Sequence, residues 1–475
     1  MKDYLDFYID GEWTRSTGRA TMDVIDPSTE TAFARVALGN AQDVDRAVAA
    51  ARKAFTTSSA MTRCQRREML SALLDRFTER KDDIANAISA EMGAPLSLAR
   101  SSQTVPCIDM LRATIGILED YPFEERLDGS TILKEPIGVV GVITPWNWPM
   151  QQIVRKVGAA LAAGCTTVLK PSEISPLSAL VFAEIAHEAG VPQGFLNVVN
   201  GDGPTVGQAI SSHRDVDMVT FTGSTRAGVL VAKAAADTVK RVHQELGGKS
   251  ANIIFDDVDL EEVVTRDVLM LMRNSGQTCN APTRMLVNES LQGEVAEIAG
   301  RAAQGIIVGA PGCADTFMGP ISNRAQFEKV QRMISGAIQE GARLVAGGPG
   351  RPDHLPRGFY AKPTVFADVK EGMTIAREEI FGPVLAIIPF KDEDDAVRIA
   401  NDSDYGLAAY ISTADPQRAR RVAQRLRAGN IHLNGARAGP ATPFGGYKQS
   451  GNGREKGRYG LEEFLEIKAL IGDVS

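Results

Sequence analysis

Cys279 follows Glu245 by 34 positions, each in a short and unusual frame: Glu245-Leu246-Gly247-Gly248-Lys249 and Gly276-Gln277-Thr278-Cys279. A thiol and a carboxylate are the two groups that covalent oxidation of an aldehyde requires. The thiolate adds to the carbonyl, and the carboxylate later activates water to release the acyl group. The other four cysteines, Cys64, Cys107, Cys165 and Cys313, read as small buried hydrophobes. Cys279 differs because its segment is too polar for a core. Glu245 is expected at a strand end beside a tight turn, and loop residues held by a rigid frame are where catalysis commonly resides.

Three upstream stretches add to this pair. Phe221-Thr222-Gly223-Ser224-Thr225-Arg226-Ala227-Gly228 follows a β-rich run and opens a helix. Glycine permits close backbone approach there, and a helix N-terminus favours a pyrophosphate. It is not the G-x-G-x-x-G fingerprint, and a plain strand-to-helix turn fits this motif equally well. Lys170-Pro171-Ser172-Glu173 stands at the C-terminal end of an expected strand, where open parallel sheets bind ligands. A carboxylate there can accept ribose hydroxyls with the lysine in support; a surface salt bridge is the alternative. Pro145-Trp146-Asn147-Trp148-Pro149 is expected as a rigid turn with no room for a regular helix. Asn147 held there can donate to a developing oxyanion, unless the turn serves only to seat its tryptophans in a core.

The elements that would position these groups follow from the patterning. A hairpin is expected at 7–13, a helix near 43–55, and long helices over 64–93 and 95–119. From 136 to 255 short β-branched runs alternate with helical stretches, which calls for a parallel sheet with helices on both faces. A second α/β run extends from about 250 to 445, and the tail at 464–471 reads as a strand.

Composition restricts the function classes. At 475 residues the chain is long enough for two or three domains. Its net charge of −7 argues against a nucleic-acid binder, and the arginine-rich stretch 418–427 reads as a solvated helix face. The apolar runs are too short and too interrupted to span a bilayer, and residues 1–4 have no signal-like character. The five scattered cysteines point to reduced thiols and a cytoplasmic location. The five histidines show no metal-ligand spacing, so no metal is expected.

Taken together and in this order, the motifs resemble those of the aldehyde dehydrogenase superfamily, the non-acylating NAD(P)-dependent kind, from about residue 7 to residue 470. The resemblance implies Cys279 as nucleophile, Glu245 as general base, and Asn147 with the Cys279 backbone N–H as oxyanion donors. It implies a cofactor site built from Thr144, Pro145, Trp146, Lys170, Ser172, Glu173, Gly203, Gly207, Phe221, Gly223, Ser224, Leu246, Gly247, Glu379 and Phe381. Lys156 and Glu455 would relay protons. Glu173 implies NAD in preference to NADP, because a carboxylate repels a 2′-phosphate. The implied fold class is α/β: a parallel-sheet cofactor domain (1–117 and 136–247), an α/β catalytic domain (248–445) and a small β bridging arm (118–135 and 446–475). Arms of that kind expose strand edges, so a homodimer or homotetramer is expected.

Arg155, Arg273 and Phe444 stand where the substrate would lie. Succinate-semialdehyde dehydrogenases are similar here, using arginines to hold a far carboxylate. This chain departs from them after the nucleophile, where Asn280-Ala281-Pro282 carries no second cysteine, and in 435–440. A cofactor-free cysteine esterase would need Cys279 and Glu245 alone, and none of the ribose or pyrophosphate positions. A CoA-acylating enzyme would not need Glu245.

Overall fold

The protein is described by a computed structural model over residues 1–472. Two large sheets organise it. The first has eight strands in the order Gly451–Asn452, Arg241–Glu245, Met218–Thr222, Val139–Ile143, Thr166–Lys170, Leu196–Val198, Asp6–Ile9 and Glu12–Arg15. Its five central members, from Arg241–Glu245 to Leu196–Val198, run parallel, as the strand-helix alternation requires. The three inner strands Val139–Ile143, Thr166–Lys170 and Met218–Thr222 are buried along their whole length because helices cover both faces. Helix Ala41–Ala60 lies on one face with Val44, Ala47, Val48 and Ala51 turned inward, and helices Arg63–Glu79, Lys81–Met92 and Leu177–Glu188 pack on the other.

The second sheet has seven strands: Arg343–Ala346, Thr364–Ala367, Val384–Phe390, Arg284–Asn288, Ala251–Ile254, Ala408–Ser412 and Asn430–Leu433. All but the first run parallel. Two apolar clusters sandwich it, one built on Ile253, Leu286 and Ile388, the other on Ile254, Val287 and Ile387. Their alternation along each strand is the period of two expected of a sheet buried on both faces. A small sheet, Leu465–Leu470, Ser130–Pro136 and Glu124–Leu127, stands apart.

Several expectations need correction. The helix expected over 64–93 breaks at Arg80, and the one over 95–119 contains a π-turn at Ala99–Thr104. Pro149 opens a helix, Pro149–Ile153, because its missing N–H is unneeded in a first turn. The 446–475 segment does not sit wholly in the arm. Gly451–Asn452 pairs with Gln244 and Glu245 on the eight-stranded sheet, and Tyr447–Lys448 pairs with Tyr405–Gly406. Two-residue strands made by a Gly-rich loop carry no period for a sequence to reveal. The last three residues of that segment lie outside the described residues. A three-stranded sheet of Lys2–Tyr4, Thr31–Ala37 and Thr21–Asp26 was not foreseen. No helix among the described residues is long and apolar enough to cross a membrane.

Candidate active site

Helix Leu260–Met272, capped by Asp259, ends just before the loop that carries Cys279. The chain then makes three successive left-handed residues: Asn274 (φ 53°), Ser275 (φ 57°) and Gly276 (φ 70°). Such conformations are costly for non-glycine residues and persist where the surroundings over-determine them. Here the Ser275 hydroxyl donates to the Gly319 carbonyl at 2.8 Å, and Asn274 Nδ2 donates to the Asn147 carbonyl at 2.9 Å. Gln277 clamps both sides: its Nε2 donates to the Asn274 carbonyl at 3.0 Å and its Oε1 accepts from Ser322 N at 2.9 Å. A Cβ at Gly276 would overlap the Gly382 carbonyl, so only glycine fits that step. Cys279 thus sits on a rigid loop, half-buried; Cys107 and Cys165 are wholly buried, whereas Cys64 and Cys313 are exposed, against the expectation of four buried thiols.

Asn147 is 3% exposed, and its Nδ2 donates to the Gln277 carbonyl at 3.0 Å. An amide nitrogen carries two N–H groups, so a second donor remains for a ligand. Trp148 Nε1 donates to Thr278 Oγ1 at 3.1 Å and fastens the same two segments together.

Glu245 ends its strand with its side chain 2% exposed and neither carboxylate oxygen hydrogen-bonded. Burial and the charge of Glu455 push its pKa well above the ordinary carboxylate range. Gly445 comes close enough that a Cβ there would lie 2.7 Å from Glu245 Oε1. Glu455 behaves oppositely. It pairs with the buried Lys156 and lies 3.5 Å from Arg155 Nη1. Burial alone would raise Glu455, but the charges of Lys156 and Arg155 outweigh it and hold it well below the usual range. The Cys279 thiol is pushed up to about 12, chiefly by burial and then by Glu245 and Glu379.

Two cavities flank the Cys279 loop. One, of about 170 Å³, is lined by Pro145, Trp146, Asn147, Gly223, Ser224, Leu246, Gly247, Cys279, Glu379 and Phe381. Trp146 and Phe381 meet edge to face there, 5.3 Å apart. A Cβ at Gly247 would lie 2.7 Å from Glu379, and one at Gly223 would strike the Phe221 ring, so bare backbone forms part of this wall. Glu379 accepts from Gly248 N at 3.0 Å. The other cavity, of about 520 Å³, is lined by Trp148, Arg155, Arg273, Thr278, Asn280, Phe317, Tyr410, Phe444 and neighbours.

The remaining expected residues fall around Lys170. Its Nζ lies 3.2 Å from Glu173 Oε2 and donates to the Pro171 carbonyl. Thr144 N donates to the Lys170 carbonyl at 3.1 Å, and Ser172 Oγ accepts from Ile174 N. Gly203 and Gly207 bound a π-turn capped by Asp202, and Gly207 approaches the Lys170 stem. Ser224 caps helix Thr225–Ala236 by accepting from Ala227 N.

Sequence reasoning missed the supports Asn274 and Gln277, and Gln326 and Lys329 in the smaller cavity. Asn274 and Gly276 were the available signal for the first, since asparagine and glycine enter the left-handed region more readily than most residues. Arg437 and Lys456, in the larger cavity, were missed as well.

The aldehyde dehydrogenase family model matches residues 13–470. A 3-succinoylsemialdehyde-pyridine dehydrogenase from a Pseudomonas species is 54% identical over 473 residues, covering 99% of both chains. Aldehyde dehydrogenase C of Pseudomonas syringae, crystallised as a variant with NAD+ and octanal, is 52% identical. It superposes with a TM-score of 0.98 over 98% of this chain and 96% of its own. A Mycobacterium tuberculosis aldehyde dehydrogenase bound to NAD+ gives 0.97 at 40% identity over 100% of this chain and 99% of its own. With matches of this identity along nearly its whole length, the chain belongs to the aldehyde dehydrogenase family and is an oxidoreductase acting on the aldehyde group.

Proposed function

We propose that the chain oxidises an aldehyde to its carboxylic acid with NAD, through a thiohemiacetal and a thioester on Cys279. One observation carries this reading: a half-buried cysteine that lines a cavity on a rigid loop, with a second cavity against its neighbours Thr278 and Asn280 and a buried carboxylate without a hydrogen-bond partner nearby. The NAD+ found in crystals of the Pseudomonas syringae and Mycobacterium tuberculosis relatives supports the choice of cofactor.

The residues fit such a cofactor. Glu379 and Glu173 are acceptors for ribose hydroxyls, and the bare backbone at Gly223 and Gly247 leaves room for pyrophosphate and ring. When bound, the nicotinamide supplies the hydride acceptor. The Cys279 thiol loses its proton to solvent, its thiolate adds to the carbonyl carbon, and the developing oxyanion accepts hydrogen bonds from Asn147 Nδ2 and the Cys279 backbone N–H. Loss of hydride from that carbon leaves the thioester. Glu245 then takes a proton from water, whose oxygen attacks the thioester, and the acid leaves as Cys279 is regenerated. The Glu245 carboxylate makes no hydrogen bond that would have to break before it takes this proton. Lys156 and Glu455 stand behind it as the route for the proton outward.

Glu173 favours NAD over NADP by repelling a 2′-phosphate; kcat/KM for the two cofactors measures this, and an NADP preference overturns it. In the small sheet, Ile467 is 74% exposed on the edge strand Leu465–Leu470. That edge fits a homodimer or homotetramer, which sedimentation tests. The decisive experiment is Cys279→Ala. NADH formation should vanish while calorimetry still shows NAD binding; persisting NADH formation would refute the mechanism.

A further inference from the structure

The larger cavity carries positive charge and no negative charge of its own. Arg273, Arg437 and Lys456 line it together, and no lining residue is an aspartate or glutamate. The other two arginines in its wall each have a carboxylate beside them, which Arg155 shares with Lys156. Arg155 faces Glu455 and donates to Gln151 Oε1 at 2.9 Å, and Arg266 pairs with Asp267 at 2.7 Å. Among the described residues, Arg273, Arg437 and Lys456 have no carboxylate partner. Arg273 donates only to the Ser102 hydroxyl, and Lys456 reaches only the Gly439 carbonyl, at 3.4 Å.

Their surroundings make this arrangement costly. Burial and the neighbouring charge of Arg437 both lower the pKa of Arg273. Burial, followed by the charge of Arg155, lowers Lys456 to about 8. Lys456 also holds φ 67°, ψ 156°, a region nearly reserved for glycine, so its lysine side chain is kept there against backbone strain. Like charges gathered without a counter-ion are stabilised when an anion enters, and a guanidinium offers a carboxylate a planar fork of donors. The same cavity is lined by Thr278 and Asn280, which flank Cys279, and by the large apolar side chains of Trp148, Phe317 and Phe444.

We propose that Arg273, Arg437 and Lys456 form an anion subsite for the far end of the substrate, which is an aldehyde whose hydrocarbon chain ends in a carboxylate. This inference rests on the aldehyde oxidation proposed above. It differs from the sequence-based expectation in its residues. Arg155 is withdrawn from substrate binding by Glu455, and Arg437 and Lys456 take its place.

The test compares ω-oxo carboxylates of graded chain length with their methyl esters, as kcat/KM with NAD. One chain length should favour the carboxylate by roughly tenfold, mostly through KM, as expected for hydrogen bonds to a charged group. Arg437→Met and Lys456→Met, singly and together, should reduce that ratio toward one. The matching dicarboxylate product should bind the wild-type protein more tightly than its monoester by calorimetry, and the double variant should lose that difference. Equal kcat/KM for carboxylate and ester at every length overturns the proposal. A preference that survives the double variant overturns the subsite assigned here. If neither substrate yields NADH yet the dicarboxylate binds in a manner that needs Arg437 and Lys456, the redox reading fails and the anion subsite stands.

Discussion

The two cavities beside Cys279 are built on opposite plans. The smaller one is walled by bare glycine backbone, a Trp146–Phe381 aromatic edge and the Glu379 carboxylate. The larger one is walled by aromatic side chains and arginines. The first residue set comes mainly from strand ends and the turns just after them, where backbone position is fixed by sheet pairing. The second draws on the helix Leu260–Met272 and on the loop 435–444. Chemistry common to many aldehydes demands a fixed backbone, whereas choice among aldehydes can be left to side chains on helices and loops. Cys279 lines the smaller cavity, its neighbours Thr278 and Asn280 line the larger one, and Glu245 is buried with no hydrogen-bond partner, whereas Glu455 is paired with Lys156.

The largest expected effect comes from removing the thiol on the loop that separates the two cavities. Cys279→Ala should lower kcat by at least about 10⁴-fold, as loss of a nucleophile does elsewhere; stopped-flow NADH fluorescence measures it. Glu245→Gln separates the two half-reactions. Turnover should fall by about 10²–10⁴-fold, while one equivalent of NADH still forms and an acylated protein accumulates in the mass spectrum. Full steady-state turnover in that variant would show that another group activates the water.

Asn147→Ala should cost about 10²–10³-fold in kcat, with little change in NAD affinity by calorimetry. It breaks the comparison at the oxyanion, since Asn147 belongs to the smaller cavity and acts on the substrate.

A subtler change is one of pH. Glu245 must be ionised to act as a base, and its raised pKa means that turnover should decline as pH falls through that value. Glu455 raises Glu245 by its negative charge and offsets Lys156. Glu455→Gln should therefore move the acid limb of the kcat profile to lower pH, with some loss of Tm because Lys156 is left buried without its partner. An unmoved limb would separate Glu455 from the titrating base. The smallest effect is expected at the far end of the cofactor site. Glu173→Gln should narrow the kcat/KM preference for NAD over NADP by about tenfold, a charge repulsion partly screened by solvent.

Much of this was legible because β-branched runs and helical periods are local. The strands at Val139–Ile143, Thr166–Lys170 and Met218–Thr222 fall in the 136–255 stretch where β-branched runs alternate with helical ones. The Pro145–Pro149 turn was read as helix-free, yet Pro149 starts a helix, because the same ring that blocks a helix interior suits its first turn. Gly451–Asn452 was assigned to the arm, and its pairing with Gln244 and Glu245 rests on a contact between segments far apart in sequence. Arg437 lies in a loop with no period, so nothing local distinguished it from any exposed arginine.

The sequence by itself determined much of the alternation of strands and helices and the residue types at the proposed nucleophile, base and oxyanion donor, since these depend on local patterning and on side-chain chemistry. Only the tertiary structure decided that Glu245 is buried without a partner, that Glu455 is held ionised by Lys156, and that Arg273 and Arg437 share a cavity with no acid. Those are properties of charge and solvent access. They depend on which groups face one another across the fold, and spacing along a chain does not carry that information.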